Sequence, residues 1–142
     1  MKTRFLLAMI LSFLFLGIEN SFAQTIQDGG YSTSYYIKSD GTIQNSSYTT
    51  VGYIKSDGTI QDASYTTIGY IKSDGTIQDA SYSTVGYVKD DDDGTVQNSS
   101  YSTIGYVKRD GTVQDAGYST IGHADGINRQ WVAVVFFFFK FN

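Results

Sequence analysis

Polar and apolar side chains alternate with a period of two along most of the chain, and the same pattern is copied many times. Residues 53–69 read YIKSDGTIQDASYTTIG and are rich in Tyr, Ile, Val and Thr. Nothing in this stretch recurs with the period of a helix. Alternating β-branched and aromatic residues, bounded by glycine and aspartate, are typical of β-strands.

The copies follow one another without linkers. They cover residues 36–52, 53–69, 70–86, 87–105 and 106–122, and each has 17 residues except the fourth, which has 19. A half copy at 25–35 precedes them and a decayed copy at 123–128 follows. A short fixed period indicates units that stack or radiate and that cannot bury an apolar face alone.

The S-D-G triplet of the first three copies predicts a β-hairpin, and D-D-D-D-G in the fourth copy and R-D-G in the fifth stand at the same place. The triplet suits a type I turn closed by a glycine in the left-handed region, where a side chain costs energy. A loop at residues 56–58 places Lys55 opposite Thr59 and Ile54 opposite Ile60. The same register places Tyr53 opposite Gln61.

Strand alternation then assigns two faces to the hairpin. The inner face is expected to hold Tyr48, Thr50, Gly52, Ile54 and Ile60. The outer face is expected to hold Thr49, Val51, Tyr53, Lys55 and Gln61. The pair Ile54 and Ile60 recurs as Ile37 with Ile43, Ile71 with Ile77, Val88 with Val96 and Val107 with Val113. These five pairs are the predicted core, and glycines at 52, 69, 86 and 105 on the same face allow close approach to an axis.

Two architectures satisfy such an array. The hairpins either close into a shallow barrel or flower, which removes sheet edges, or stack as an open solenoid with capping units. The incomplete copies at the two ends favour closure, because one half unit can pair with the other. The predicted fold class is therefore all-β, a closed barrel of five 17-residue hairpin repeats in a single domain over residues 24–142.

The segment 129–142 contains nine consecutive apolar residues, WVAVVFFFF, at 131–139. A run of this kind must be buried or bound, because exposure leads to aggregation. We expect it to supply core by lying along or across the apolar face of the repeats. The propensities of Val and Phe favour a strand, although burial in a barrel axis can override them. Insertion into a membrane or a partner is the alternative.

The amino terminus has the pattern of a signal peptide. Lys2 and Arg4 precede an apolar run at 5–18, and Ser-Phe-Ala at 21–23 provides the small residues of a cleavage site. Cleavage after Ala23 predicts an exported protein that is periplasmic, on the outer surface or secreted. An uncleaved anchor is the alternative, but the run is shorter than the ~20 residues of a spanning helix. No transmembrane span is expected in the mature chain.

Composition narrows the function. The chain carries a net charge of −4, and removal of the two basic and one acidic side chains of residues 1–23 makes it −5. This balance argues against nucleic-acid binding. There is no cysteine or proline, and the mature chain has no glutamate and one histidine, His123. We therefore expect no catalytic residues, no cofactor, no metal site and no enzymatic activity. His123 replaces the tyrosine that opens each copy, which we interpret as drift.

Three features are candidates for binding. Residues 90–93 form a D-D-D-D loop that can hold calcium, although a solvated acidic loop fits the spacing better. One lysine precedes every turn, so closure predicts a ring for an anionic ligand, made of Lys38, Lys55, Lys72, Lys89 and Lys108. Alternatively each lysine is balanced by its aspartate, namely Asp40, Asp57, Asp74, Asp93 or Asp110. The tyrosines at 53, 70, 87 and 106 either stack on glycans or fill cross-strand pairs.

The repeated motifs G-Y-I-K-S-D-G-T-I-Q and Y-S-T-I-G, behind a signal peptide and before a phenylalanine-rich end, resemble the five-fold β-flower proteins. The resemblance covers residues 25–142. It implies a shallow symmetric barrel with hairpins as petals, related in shape to the Tubby carboxyl-terminal domain, which binds phosphoinositide lipids. Hairpin arrays of cell-wall-binding and YD-type repeats fit less well.

The sequence thus predicts a non-enzymatic exported module that binds an anionic or amphipathic ligand, such as a lipid, through its rim and axis. A structural or adhesive envelope protein that assembles through Gln and Asn ladders is one alternative. A glycan-binding module is another.

Overall fold

Twelve antiparallel strands close into a single barrel in the computed structural model. It describes residues 23–142, so residues 1–22 of the predicted signal peptide lie outside the described part. The strands are β1 (Gln24–Asp28), β2 (Thr33–Ile37), β3 (Thr42–Asn45), β4 (Thr50–Ile54), β5 (Thr59–Asp62), β6 (Thr67–Ile71), β7 (Thr76–Asp79), β8 (Thr84–Val88), β9 (Thr95–Asn98), β10 (Thr103–Val107), β11 (Thr112–Asp115) and β12 (Thr120–His123). Each strand pairs with its neighbour in sequence, so the predicted all-β closed barrel is confirmed and the open solenoid is wrong.

The two ends of the array complete the barrel. β1 pairs with β12, with Gln27 opposite His123 and Asp28 opposite Gly122. The incomplete copies therefore pair as expected. Their pairing adds a sixth hairpin, interrupted between β12 and β1, to the five hairpins of the repeats.

The S-D-G hairpins have the predicted register. Ile54 lies opposite Ile60 and Tyr53 opposite Gln61, and the Lys55 amide donates to the Thr59 carbonyl at 2.8 Å. Gly58 has a φ of 89°, and a Cβ there would collide with the carbonyl of Ile71. The Ile71 amide instead donates to the Gly58 carbonyl at 2.7 Å, so each turn is tied to the next hairpin. We call this end of the barrel, with the turns that follow the five lysines, the lysine end.

Three face assignments are wrong, and a second type of turn explains them. Thr50 is expected on the inner face but lies opposite Gln44, which is on the outer face with Tyr36. Tyr48 lies in the turn between β3 and β4 with a φ of 64° and 65% exposure, rather than on the inner face. The pairing of β3 with β4 shifts register, so that Ile43 faces Gly52 while Gln44 faces Thr50. Val51 is the extra residue of this bulge and is 4% exposed rather than on the outer face. A bulge resets the alternation of a strand.

The carboxyl-terminal segment fills the barrel as a helix. α1 (Arg129–Ala133) continues into one π-helical turn (Val134–Phe138), and the side chain of Asn128 caps α1 by accepting from the Gln130 amide at 2.9 Å. Ala133 and Val134 are completely buried with the Ile and Val pairs of the repeats. The predicted core contribution is confirmed, and the preference for a strand is wrong. A strand inside a closed barrel has no partner for its backbone, whereas a helix satisfies its own hydrogen bonds.

Within residues 23–142, no helix has both the length and the apolar character needed to cross a membrane.

Candidate functional site

The barrel axis is occupied by phenylalanine rings. Five inner glycines each lie against one ring, in the pairs Gly52 with Phe141, Gly69 with Phe139, Gly86 with Phe138, Gly105 with Phe137 and Gly122 with Phe136. In the remaining hairpin Tyr35 replaces the glycine, and its hydroxyl donates to the Phe141 carbonyl at 3.0 Å. The carboxyl-terminal segment thus occupies the barrel axis, where Phe141 is buried and the rings at 136–139 are half-buried.

All five predicted lysines lie at the lysine end. Lys38, Lys55, Lys72 and Lys89 are exposed, and Lys108 is half-buried. In the described part of the chain none of them has a carboxylate oxygen within 4.0 Å, and the one ion pair joins Arg109 to Asp92 at 3.5 Å. Direct pairing of each lysine with its aspartate is therefore not observed.

The aspartates of these turns bind backbone instead. The Oδ1 atom of Asp57 accepts from the Thr59 amide at 2.9 Å. The hydrogen bonds from the Thr59 amide and hydroxyl, with a smaller contribution from the charge of Lys55, lower the pKa of Asp57. The pKa is lowered in the same way at Asp40, Asp74 and Asp110. These carboxylates close their turns and leave the lysine ammonium groups to solvent.

The entering carboxyl-terminal segment divides the lysine ring into two clefts. One, of about 630 Å³, is lined by Lys89, Lys108, Arg109 and Arg129. The other, of about 280 Å³, is lined by Lys55, Lys72 and Trp131. Lys38 lines neither cleft. The predicted ring is present as an arrangement of residues, but it does not surround one open site.

The enlarged fourth loop holds Arg129. The Nη2 atom of Arg129 donates to the carbonyl oxygens of Asp91 at 2.9 Å and Asp92 at 3.4 Å, and its Nε atom donates to the Val107 carbonyl at 2.8 Å. Among the described residues, no three His, Asp or Glu side chains are placed to hold a metal ion. The contact between Arg129 and the enlarged loop was not predicted from the sequence, although the two-residue insertion and the arginine before the apolar run are both visible there.

Six stacked aromatic pairs surround the outside of the barrel. Their ring centroids are 4.0 to 5.0 Å apart, in the pairs Tyr31–His123, Tyr36–Tyr48, Tyr53–Tyr65, Tyr70–Tyr82, Tyr87–Tyr101 and Tyr106–Tyr118. The predicted glycan-binding tyrosines at 53, 70, 87 and 106 are the half-buried members. The other members are 65–67% exposed, and we call them the outer tyrosines: Tyr31, Tyr48, Tyr65, Tyr82, Tyr101 and Tyr118.

In three of the pairs, Tyr70–Tyr82, Tyr87–Tyr101 and Tyr106–Tyr118, the inner hydroxyl donates to the outer one at 3.2 Å. The hydrogen bond between Tyr70 and Tyr82 is the main cause that raises the pKa of Tyr70. The pKa is raised for the same reason at Tyr36, Tyr53, Tyr87 and Tyr106.

Every outer tyrosine has a backbone conformation that normally requires glycine. The six have φ values of 64–67°. In the third of these turns the Asp62 side chain accepts from the amides of Ser64 at 2.9 Å and Thr66 at 3.0 Å. The equivalent left-handed position at the lysine end is a glycine in every turn, from Gly41 to Gly126. The tyrosine turns thus retain a side chain where the backbone disfavours one.

His123 takes the inner place in the pair that joins the two ends of the array. Its ring lies 4.0 Å from that of Tyr31, with the planes 7° apart. Its Nε2 atom is buried and has no hydrogen-bond partner in the described part of the chain. The residue therefore packs as the repeat tyrosines do, without their hydroxyl contact.

A family model described as "5-fold beta-flower protein" matches residues 23–140. No curated protein matches the chain, and no solved structure matches it either. The five hairpins of the repeats agree with the five-fold description, while the joined chain ends add the sixth hairpin. The chain belongs to the 5-fold β-flower protein family.

Proposed function

We propose that this protein is a non-enzymatic binding module that acts after export, and that its six outer tyrosines bind glycans. The observation behind the proposal is the tyrosine at all six left-handed turn positions of one end. Export is supported by the leader-like pattern of residues 1–23.

The backbone conformation implies that the tyrosine ring itself is required. A left-handed conformation costs an L-residue roughly 1–2 kcal/mol, and strained residues of this kind concentrate at functional sites. Stacking on the inner tyrosine offsets this, because aromatic pairs contribute about 0.5–1.5 kcal/mol. Stacking uses one ring face, and an exposure of 65–67% leaves the other available.

An exposed tyrosine face suits the apolar face of a sugar ring. The aromatic body covers apolar CH groups and the hydroxyl provides a polar contact at the edge. Next to the outer Tyr65, the exposed Ser64 and Thr66 add further hydroxyl groups. The six turns that carry the outer tyrosines contain no lysine or arginine, which fits a neutral ligand better than an anionic one.

The number of equivalent faces favours a polymer over a small molecule. Six weak sites on one rigid barrel raise the effective concentration of each following sugar unit once the first is bound. A glycan with a repeating unit can use several faces together. A single sugar can use only one.

The test is a glycan array of neutral and acidic oligosaccharides probed with the mature protein, followed by titration of the best polysaccharide. Tyr65→Gly and Tyr82→Gly remove the ring and keep a residue that accepts positive φ, so both variants should fold. Each removed face should weaken polysaccharide binding about 2- to 10-fold.

Tyr65→Phe and Tyr82→Phe are the matched controls, because they keep the ring, and they should retain most of the affinity. A blank array for the wild-type protein would refute the proposal. Glycine variants that bind as tightly as the phenylalanine variants would also refute it.

The structural or adhesive alternative is less well supported. Every described strand has two neighbours in the barrel, so no strand edge is free to extend a ladder into a second molecule. The anionic-ligand hypothesis is best supported at the two clefts of the lysine end, because four of the five lysines line them.

A further inference from the structure

We propose that the smaller cleft of the lysine end binds one acidic sugar ring, with Trp131 as the stacking surface and Lys55 and Lys72 as the partners of its anionic group. This site lies at the opposite end of the barrel from the outer tyrosines. It is independent of glycan binding by those tyrosines.

Trp131 is the only tryptophan of the chain, and it is placed differently from the apolar residues that follow it. Val132, Ala133 and Val134 are completely buried in the core. Trp131 packs against the same core but is only half-buried, and it contributes to the wall of the cleft. The chain thus leaves part of its largest aromatic surface uncovered where it enters the barrel.

The two lysines flank this surface on rigid turns. Lys55 follows β4 and Lys72 follows β6, and their amides donate to the carbonyls of Thr59 at 2.8 Å and Thr76 at 2.9 Å. Their backbones are therefore fixed by the hairpins. Both side chains are exposed, without a carboxylate oxygen within 4.0 Å among residues 23–142.

One carboxylate, Asp57, also lines the cleft, but it is already engaged. Its Oδ1 atom accepts from the Thr59 amide at 2.9 Å. The lining of the cleft therefore contains two lysines and one carboxylate that is already hydrogen-bonded. An added carboxylate or phosphate would be attracted to this cleft.

The larger cleft is a poorer candidate for an anion. Arg129 uses its guanidinium on the carbonyls of Val107 and Asp91, and Arg109 pairs with Asp92. Asp74, Asp90 and Asp125 also line this cleft. The two arginines of the larger cleft thus already have partners, and its lysines share the lining with three carboxylates.

The volume limits the ligand to a single ring. At about 280 Å³ the cleft lies just below the ~300–1,000 Å³ range of small-molecule sites. An aromatic wall with polar groups around it suits a ring that has an apolar face and polar edges. These features select a sugar acid or a sugar phosphate, either free or at the end of a polymer.

The experiment uses Trp131 as its own reporter. The fluorescence of the mature protein is titrated with glucuronate, glucose 6-phosphate, glucose and inorganic phosphate. Both acidic sugars should give a saturable change, with at least tenfold tighter binding than glucose or phosphate. An acidic oligosaccharide is titrated in the same way. If it binds more tightly than the free acidic sugars, the natural ligand is the end of a polymer.

Lys72→Gln and Lys55→Gln should each weaken binding of the acidic sugars at least fivefold. Lys38→Gln is the matched control, because it occupies the same place in a hairpin that lines neither cleft, and it should bind as the wild type does. The proposal is overturned if the fluorescence of Trp131 shows no saturable change at acidic-sugar concentrations up to about 10 mM. It is also overturned if Lys38→Gln loses as much affinity as Lys72→Gln. Tyrosine variants that lose binding on the glycan array should still give the same fluorescence titrations as the wild type.

Discussion

The ring of Phe139 lies against the Cα of Gly69, in the space that a side chain at position 69 would occupy. A Cβ at this position would also lie 2.7 Å from the carbonyl oxygen of Gln78. Four further glycines receive a ring in the same way, so the barrel and its carboxyl-terminal segment fit each other hairpin by hairpin.

Gly69→Ala should destabilise the protein by about 1–3 kcal/mol, because an added methyl overpacks the contact with Phe139. Chemical denaturation of the mature protein measures the change. Gly117→Ser is the control: its Cβ would meet nothing closer than 3.4 Å, and serine occupies the equivalent position 64. We expect that variant to lie within about 0.5 kcal/mol of the wild type.

Phe139→Leu should recover part of the loss in Gly69→Ala, because the smaller side chain leaves room for the methyl group. The double variant would then be more stable than the sum of the two single changes predicts. Additive losses would show that Phe139 does not press on residue 69.

Four aspartates in the turns of the lysine end predict a loss of stability in acid. Hydrogen bonds from the following threonine lower the pKa of Asp40, Asp57, Asp74 and Asp110 in the folded protein. A lowered folded pKa stabilises the protein above the unfolded value of about 3.9, and the stabilisation is lost as the pH falls through that value and the lower folded pKa. Thermal unfolding followed between pH 7 and pH 2 should show a falling midpoint below about pH 4.

Replacement of all four aspartates by asparagine keeps the accepting oxygen and removes the titration. The acid loss should become shallower in that variant. An unchanged pH profile would assign the acid sensitivity to other carboxylates.

The tyrosine pairs predict a second transition in alkali. Hydrogen bonds with the hydroxyl groups of the outer tyrosines raise the pKa of the inner tyrosines, which are Tyr36, Tyr53, Tyr70, Tyr87 and Tyr106. Their stabilisation is complete below the unfolded pKa of about 10 and disappears as the pH rises through the folded value. The absorbance of these five tyrosinates should therefore rise at a pH above the ordinary tyrosine pKa of about 10. Tyr82→Phe removes the acceptor of Tyr70, so the contribution of Tyr70 should move to lower pH.

His123→Tyr should stabilise the barrel by up to about 1 kcal/mol. The substitution recreates the tyrosine pair of the other hairpins and removes a buried Nε2 atom that has no described partner. Denaturant unfolding measures the gain. A destabilised variant would mean that the histidine is required at the junction of the chain ends.

Arg129→Ala should cost about 1.5–3 kcal/mol, because the guanidinium donates to carbonyl groups of the fourth loop and of β10. Arg109→Ala is the comparison. It removes only an exposed ion pair and should cost no more than about 1 kcal/mol. Equal losses would contradict the assigned role of the enlarged loop.

The repeat period was sufficient to predict the S-D-G hairpin, because glycine at position 58 and the β-branched pair at 54 and 60 each permit one register. It did not predict the turn at Tyr48. Tyrosine is a strand-forming residue, and its left-handed conformation there depends on capping by Asn45 and stacking on Tyr36. The bulge at Val51 follows from that turn, so both residues were assigned to the wrong face.

Propensity also failed for the carboxyl-terminal segment, since the local preference of Val and Phe was overridden by the lack of any strand partner inside the barrel. The preceding Asn128, which caps α1, was a visible helix-start signal. The lysine positions were predictable from the repeat. Their division into two clefts was not, because it depends on where residues 124–131 cross the rim.

The pairing of β1 with β12 gives the barrel an order of completion. β1 lacks one of its two neighbouring strands until residues 120–123 have been synthesised. The inner glycines have no aromatic ring against them until the phenylalanines of residues 136–141 follow. A chain leaving the ribosome cannot reach its native state early, since its decisive contacts are the most distant in sequence. Closure is therefore the last step, and the polypeptide lacks its complete core until residues 120–141 have joined it.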